Sequence, residues 1–339
     1  MTTRLRFTLF LALLTGGVPV HAAEKKPAKP PRFEDLVREF DYDRNALLNI
    51  REERKEERDG ATITELSYDS PRGGRVPATL VLPPGKGPFA GILFGHWMMP
   101  RSPVANRKEF LEEALLLARS GAVSLLTDAP MVRPGFLPEK DLLKGQIQNA
   151  EASRQQVIDF RRGVDLLIAR GDVDPARLAY VGHSYNAHTG GLLAGVEKRI
   201  GSFVLMAGVF ADEEYVFDSN TPAIAEFRKR IGEEPLGGFF REYAFDDPVY
   251  FIGHSAPAAV FLQVGRDDAA IPETVARRSF ERFEEPKKIE FYKAGHALNG
   301  EARKDRVQWL AERLKLSRVD PEAIDRIPDL GKEEKEEKD

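Results

Sequence analysis

The residues best placed to do chemistry lie in Leu178-Ala179-Tyr180-Val181-Gly182-His183-Ser184-Tyr185-Asn186-Ala187. A buried, strand-like run passes through a glycine into a serine and on into a helix-like segment. That is the pattern of a strained turn that lifts a serine hydroxyl clear of the chain, where it can attack a carbonyl. The turn is tight, so the positions two before and two after the serine must be small. Gly182 meets this need. Asn186 is larger than the usual second glycine, although asparagine tolerates unusual backbone angles better than most residues. Gly190 and Gly191, a turn or two later, would let the helix lie close to the strand. A second Gly-His-Ser occurs at Gly253-His254-Ser255, but Ala256-Pro257 and a strand-like run follow it. Proline disfavours a helix at that point, so Ser184 is the expected nucleophile and Ser255 is not.

A serine hydroxyl is a weak nucleophile at neutral pH, so it needs an imidazole to accept its proton and a carboxylate to fix the imidazole's tautomer. The apolar run ending at Val264 gives way to Gly265-Arg266-Asp267-Asp268-Ala269-Ala270-Ile271-Pro272, and the next strand-like run is followed by Ala294-Gly295-His296. Both turns fall just past a strand, in the order serine, acid, histidine. His296 is the expected base, with Asp267 or Asp268 as its partner. The oxyanion formed by attack needs N–H donors, and the amide of Tyr185, next after the nucleophile, is one. His183 and His188 flank the turn and read as packing or hydrogen-bonding residues. No His-Glu-x-x-His or comparable ligand set occurs, so a metal is not expected.

The elements that must position these groups alternate strand-like and helix-like. Thr62 to Tyr68 and Val76 to Leu82 read as two strands joined by the turn Pro71-Arg72-Gly73-Gly74. Ala90 to Phe94, Val123 to Leu126, Leu178 to Val181, Phe203 to Met206, Ala259 to Val264 and Ile289 to Tyr292 are short apolar runs suited to strands buried on both faces. Such runs imply a parallel sheet. Between them, Phe110, Ala114, Leu117 and Ala118 form one helical stripe, Val157, Phe160, Val164 and Leu167 a second, and Val307, Leu310, Ala311 and Leu314 a third. The order points to a mostly parallel, doubly wound α/β sheet with helices on both faces.

Asp172-Val173-Asp174-Pro175-Ala176-Arg177-Leu178, Gly182-His183-Ser184, Gly265-x-x-Asp268-x-x-Ile271-Pro272 and Gly295-His296, in this order, resemble the α/β-hydrolase superfamily. Within it the resemblance is to the branch of dienelactone hydrolases, acetyl xylan esterases and prolyl oligopeptidase-like proteins. It implies a cofactor-free hydrolase of esters or amides with Ser184, Asp268 and His296 as its triad. The spacing to Ile271-Pro272 favours Asp268 over Asp267. By alignment with the family's usual His-Gly, here exchanged to Gly95-His96, the second oxyanion donor is expected at Trp97, with His96 next. Dienelactone hydrolases proper use a cysteine nucleophile, and this chain has no cysteine. Residues Phe210 to Ala256 interrupt the rhythm with many aromatics, which suits a small helical cap over the site or a peripheral patch. Phe33 to Leu48 also looks helical and would cover either the sheet or the site.

The α/β-hydrolase domain is thus expected over 32–317. Before it, Arg4 and Arg6 precede the apolar run Phe7 to Leu14, and Val20-His21-Ala22 has small residues where a signal peptidase inspects the chain. Residues 1–22 are expected to be a leader for export to the periplasm or beyond, and 23–31 a proline-bearing linker. The apolar run is well short of the roughly 20 residues that span a bilayer. Residues 318–339 read as a charged tail. The net charge of −4 gives no basic surface for nucleic acid; the partner that the resemblance implies is a small-molecule ester. An exopeptidase or amidase with the same triad, and a binding protein that has lost catalysis, are the other readings.

Overall fold

The computed structural model describes residues 30–317 and 319–330. The expected leader, most of the linker and the last nine residues of the expected tail lie outside the described residues.

Among the described residues nine strands form one sheet: β1 (Arg51–Arg58), β2 (Ala61–Asp69), β3 (Arg75–Leu82), β4 (Phe89–Gly95), β5 (Ala122–Thr127), β6 (Val173–His183), β7 (Ser202–Met206), β8 (Ala259–Gly265) and β9 (Lys287–Tyr292). Their order is β1-β2-β3-β5-β4-β6-β7-β8-β9. The first three strands are antiparallel and join β5 antiparallel, while β5, β4, β6, β7, β8 and β9 run parallel. The direction of strand addition reverses between β4 and β6. Crevices at such reversals, beyond the carboxyl ends of the strands, are where α/β sheets place their sites.

The central strands are apolar on both faces because helices cover both. On one face, α2 (Leu111–Ala118) and α9 (Gly300–Arg313) bury Leu115, Leu117, Val307 and Leu310 against Ile92, Phe94, Val204 and Phe261. On the other, α3 (Leu142–Ala169) and α4 (Tyr185–Val196) bury Val157, Phe160, Val164 and Leu193 against Leu93, Leu125, Tyr180 and Phe203. Each such side chain contributes about 1.5–3 kcal/mol when fully buried. Between β8 and β9, α8 (Glu273–Arg282) packs Ala276 against Val264 and Ile271.

Four regions depart from the sequence reading or sharpen it. Strand β1 has the sequence Arg-Glu-Glu-Arg-Lys-Glu-Glu-Arg and no apolar alternation. Among the described residues it is an edge strand, paired with β2 alone, and a charged edge is how sheets resist pairing with other chains. The helix expected over Phe33 to Leu48 is shorter: α1 (Phe33–Val37) and a 3₁₀ turn (Arg38–Phe40) are followed by extended chain at Asp41. Asp43 accepts the Asn45 amide at 2.9 Å, a local turn that competes with helix. This segment covers the scaffold, with Phe40 packed edge-on against Phe245 and Phe251.

The insertion expected at about 210–256 divides in two. Helices α5 (Asp212–Asp218), α6 (Pro222–Ile231) and α7 (Glu233–Glu242) form a small helical cap with its own core of Phe227, Leu236 and Phe240. Residues 244–254 are three 3₁₀ turns whose Phe245, Phe251 and Ile252 join the main core. The domain also runs past 317. Helix α10 (Pro321–Asp325) begins with an Asp320 side-chain cap and a proline at its first position, and buries Ala323 and Ile324 beside α2 and α9. Arg303 then holds the carbonyls of Ile327 and Pro328 at 2.6 and 2.8 Å.

Candidate active site

Strand β6 ends at His183 and α4 begins at Tyr185, leaving Ser184 between them at φ 55°, ψ −111°. A backbone held there costs on the order of 1–3 kcal/mol and persists only where surrounding contacts fix it. Here the Ser184 amide donates to the Met206 carbonyl at 2.8 Å, and the Ser184 carbonyl accepts the amides of Ala187 and His188 at 2.9 and 3.1 Å. The tightness of the turn is visible at Gly182, where a Cβ would fall 2.1 Å from the Asn186 carbonyl oxygen. Asn186 is fully buried; its Nδ2 donates to the His96 carbonyl at 2.6 Å, and its Oδ1 accepts from the Thr189 hydroxyl at 2.9 Å.

Loops after β8 and β9 bring the other two groups to this turn. His296 Nε2 stands 2.7 Å from Ser184 Oγ, and His296 Nδ1 stands 2.8 Å from Asp268 Oδ2. The second carboxylate oxygen of Asp268 accepts the amides of Ala270 and Ile271 at 2.8 and 3.2 Å. Burial alone would push this carboxyl up, but the hydrogen bond and charge of His296, with the two amides, outweigh it and hold the group below the ordinary carboxylate range. Asp268 is therefore an acceptor, which fixes the hydrogen on His296 Nδ1 and leaves Nε2 as an acceptor facing the Ser184 hydroxyl. The Asp268 side chain is 1% exposed and that of His296 14%, so the carboxylate is shielded while the imidazole reaches solvent. Asp267 is exposed to solvent and, among the described residues, bonds through its amide to the Ala294 carbonyl.

Ser255 sits in a different environment. It is fully buried, its Oγ accepts the Glu284 amide at 3.2 Å, and its neighbour His254 stacks on Phe33 with ring centroids 3.6 Å apart.

Of the expected oxyanion donors, the Tyr185 amide is the first of α4, where N–H groups have no acceptor within the helix. Trp97 requires a correction. Its amide donates to Glu109 Oε2 at 2.5 Å and is thus already committed. The His96 ring is also used internally: Nδ1 bonds the Trp97 carbonyl at 2.6 Å and Nε2 accepts the Ala129 amide at 2.9 Å. Those partners require a neutral ring, in keeping with the burial that lowers its pKa. The neighbouring loop residue Asp128 is structural, bonded to the Arg107 guanidinium and amide.

The sequence reading did not single out Glu109. It comes from the loop before α2, and no local pattern marks it, since its partners Trp97 and His183 are distant in the chain. His183 Nδ1 stands 2.5 Å from Glu109 Oε1. His188, one turn into α4, pairs with Asp212 of the cap at 2.7 Å, and Tyr215 of α5 donates to the Ala270 carbonyl beside Asp268 at 2.6 Å. Helix α5 is thus tied both to α4, just past Ser184, and to the turn that carries Asp268. Among the described residues no cluster of three or more His, Asp or Glu side chains is arranged to hold a metal ion, and no helix is long and apolar enough to cross a membrane.

These features define an α/β-hydrolase fold, with a serine, a histidine and an aspartate joined at its sheet reversal. Among solved structures, the chain is similar to acetyl xylan esterase 1 from Thermoanaerobacterium sp. JW/SL YS485, at a TM-score of 0.68 and 17% identity over 83% of this chain and 93% of that one. It is similar also to the acetyl xylan esterase from Paenibacillus sp. R4, at 0.67 and 14% over 83% and 92%. A cold-adapted esterase from an Arctic intertidal metagenomic library aligns at 0.53 and 16% over 78% and 99%. No protein-family model and no curated protein matches by sequence.

Proposed function

We propose that the chain is a serine hydrolase of carboxylic esters acting through an acyl-enzyme. The observation that carries this is the unbroken hydrogen-bonded line from Ser184 Oγ through His296 to Asp268, with Ser184 on a strained turn at the sheet's carboxyl edge. Ser184 Oγ attacks the ester carbonyl as its proton passes to His296 Nε2, while ionised Asp268 stabilises the imidazolium. His296 then protonates the leaving alcohol. Water, deprotonated by the same nitrogen, attacks the acyl-enzyme and frees Ser184.

The developing oxyanion is received by the Tyr185 amide and, with Trp97 committed, by the amide of His96. Each such donor is worth about 2.7–4 kcal/mol. That two structural neighbours are named acetyl xylan esterases makes acetyl the first acyl group to test. Export, read from Arg4, Arg6 and the short apolar run that follows them, is part of this proposal. Purified protein should turn over p-nitrophenyl acetate with a burst of one product equivalent per chain and react with a fluorophosphonate probe at Ser184. Turnover confined to peptide or anilide substrates would reassign it as an amidase or peptidase, and no turnover or labelling at all would leave a binding protein.

A further inference from the structure

We propose that Glu109, acting through His183, is a positioning residue that fastens the catalytic His296 and the loop after β4 to the nucleophile turn. The inference rests on the hydrolytic reading above.

Three loops must keep a fixed relation for that chemistry: the one after β4, the turn at Ser184, and the one after β9. His183 sits among all three. Its ring has no exposed surface and lies between Trp97, at 5.1 Å between ring centroids and 18° between planes, and His296, at 5.6 Å and 29°. Nε2 stands 2.9 Å from the His296 carbonyl oxygen and Nδ1 2.5 Å from Glu109 Oε1. The other Glu109 oxygen accepts the Trp97 amide at 2.5 Å. The Glu109 side chain is 1% exposed.

Proton positions follow from the partners. A carbonyl oxygen only accepts, so His183 Nε2 carries a hydrogen; an amide only donates, so Glu109 Oε2 is an acceptor. One proton lies between Nδ1 and Oε1. Whichever atom holds it, the pair is neutral as a whole, so it avoids the cost of an isolated buried charge. It also stands off the proton path, because both ring nitrogens of His296 are engaged by Ser184 and Asp268. The pair acts on the main chain of His296. That main chain needs a fastening: two residues on, Leu298 adopts φ 59°, and the loop must present the ring to Ser184 within a fraction of an ångström. A displacement of about 1 Å at a reacting centre costs on the order of 10²-fold in rate.

Glutamine at 109 preserves this tether. Its amide nitrogen can donate to His183 Nδ1 and its oxygen can accept the Trp97 amide, with His183 keeping the hydrogen on Nε2. Methionine, of similar length, fills the space and makes neither bond.

The test compares wild type, Glu109→Gln and Glu109→Met on p-nitrophenyl acetate, with folding followed by thermal melts. Glu109→Gln is expected within about threefold of wild type in kcat, and Glu109→Met about 100-fold lower in kcat with KM within about threefold. A folded Glu109→Met at wild-type kcat, or Glu109→Gln as impaired as Glu109→Met, would overturn the proposal. Inactivity of the wild type itself would instead sink the hydrolytic reading. Independently of activity and of whether Glu109→Met folds, proton NMR should show a far-downfield resonance for the proton between His183 and Glu109, lost in Glu109→Gln and retained in Ser184→Ala. Its absence from the wild type overturns the pairing.

Discussion

A Cβ placed on Gly95 would stand 2.6 Å from the Cβ of Asn186. Asparagine at the second position after Ser184 and the Gly95-His96 order after β4, which set this chain apart from the pattern of the family it resembles, are therefore one feature. The volume vacated by Gly95 admits the Asn186 side chain, which then satisfies the His96 carbonyl. Asn186→Gly should lower stability by about 1–3 kcal/mol by leaving that carbonyl without its donor. Gly95→Ala should destabilise too, since its Cβ would also meet the Tyr180 hydroxyl at 2.7 Å. Denaturant unfolding of the two single variants and the double variant checks this: the double should be more stable than the sum of the singles implies, because one of the two clashes is gone. Strict additivity would mean that the positions are independent.

The two Gly-His-Ser turns provide an internal control for the nucleophile. Ser184→Ala should fold and lose nearly all ester hydrolysis, a fall of about 10⁶ in kcat where a triad serine has been removed elsewhere, along with fluorophosphonate labelling. Ser255→Ala should keep both. Its effect should appear in the melt, because the Glu284 amide loses its acceptor. Full activity in Ser184→Ala would sink the mechanism.

Stability should fall as pH rises from mildly acidic to mildly basic. Burial beside the cap pushes the Asp246 carboxyl up to about 8, against the pull of the positive His188. For His188, burial works against the charged form, but Asp212 outweighs it and raises the group to about 9. Each folded-state pKa lies above its unfolded value, so the folded state holds protons that the unfolded chain has released. For Asp246 the favourable contribution is complete below about pH 4 and gone above about 8; for His188 it is complete below about 6.5 and gone above about 9. Asp268, held low, acts in the opposite sense but only at acid pH. The thermal midpoint at pH 5.5 should therefore exceed that at pH 8.5. Asp246→Asn, which mimics the protonated acid, should narrow the gap. A midpoint that rises over this interval would refute the assignment.

Much of the architecture was legible because burial on two faces leaves an unambiguous trace. Apolar runs such as Ala259 to Val264 are too short for a buried helix and so read as central strands. Strand β1 left none: an edge strand of arginine, lysine and glutamate carries the composition of an exposed helix, and only its pairing with β2 makes it a strand. The meeting of Ser184, Asp268 and His296 at one edge of the sheet was legible because each follows a strand, and strand ends are visible in sequence. Glu109 was not, because what matters about it is the convergence of Trp97, His183 and His296, contacts 12, 74 and 113 residues apart in the chain. Trp97 misled for a related reason: alignment with a family gives a residue's place in the loop but not the direction of its N–H.

The choice between Asp267 and Asp268 is the sharpest test of the site. They are adjacent on one turn and point oppositely, Asp268 inward to His296 and to two amides, Asp267 into solvent. Asp268→Asn keeps the shape of the side chain and can keep the backbone bonds, but an amide presenting N–H to His296 Nδ1 stabilises the wrong tautomer, with the hydrogen on Nε2. That nitrogen then cannot take the serine proton. In serine proteases, the system from which the magnitude is taken, the same change lowers turnover by about 10⁴-fold. Asp267→Asn removes only an exposed charge, for which a change of at most about tenfold, equivalent to about 1.4 kcal/mol, is expected. Measured as kcat/KM on p-nitrophenyl acetate, with folding checked by melting, Asp268→Asn should be nearly inactive and Asp267→Asn close to wild type. The reverse ranking would move the acid to Asp267, and two active variants would mean that His296 is oriented by its main chain alone.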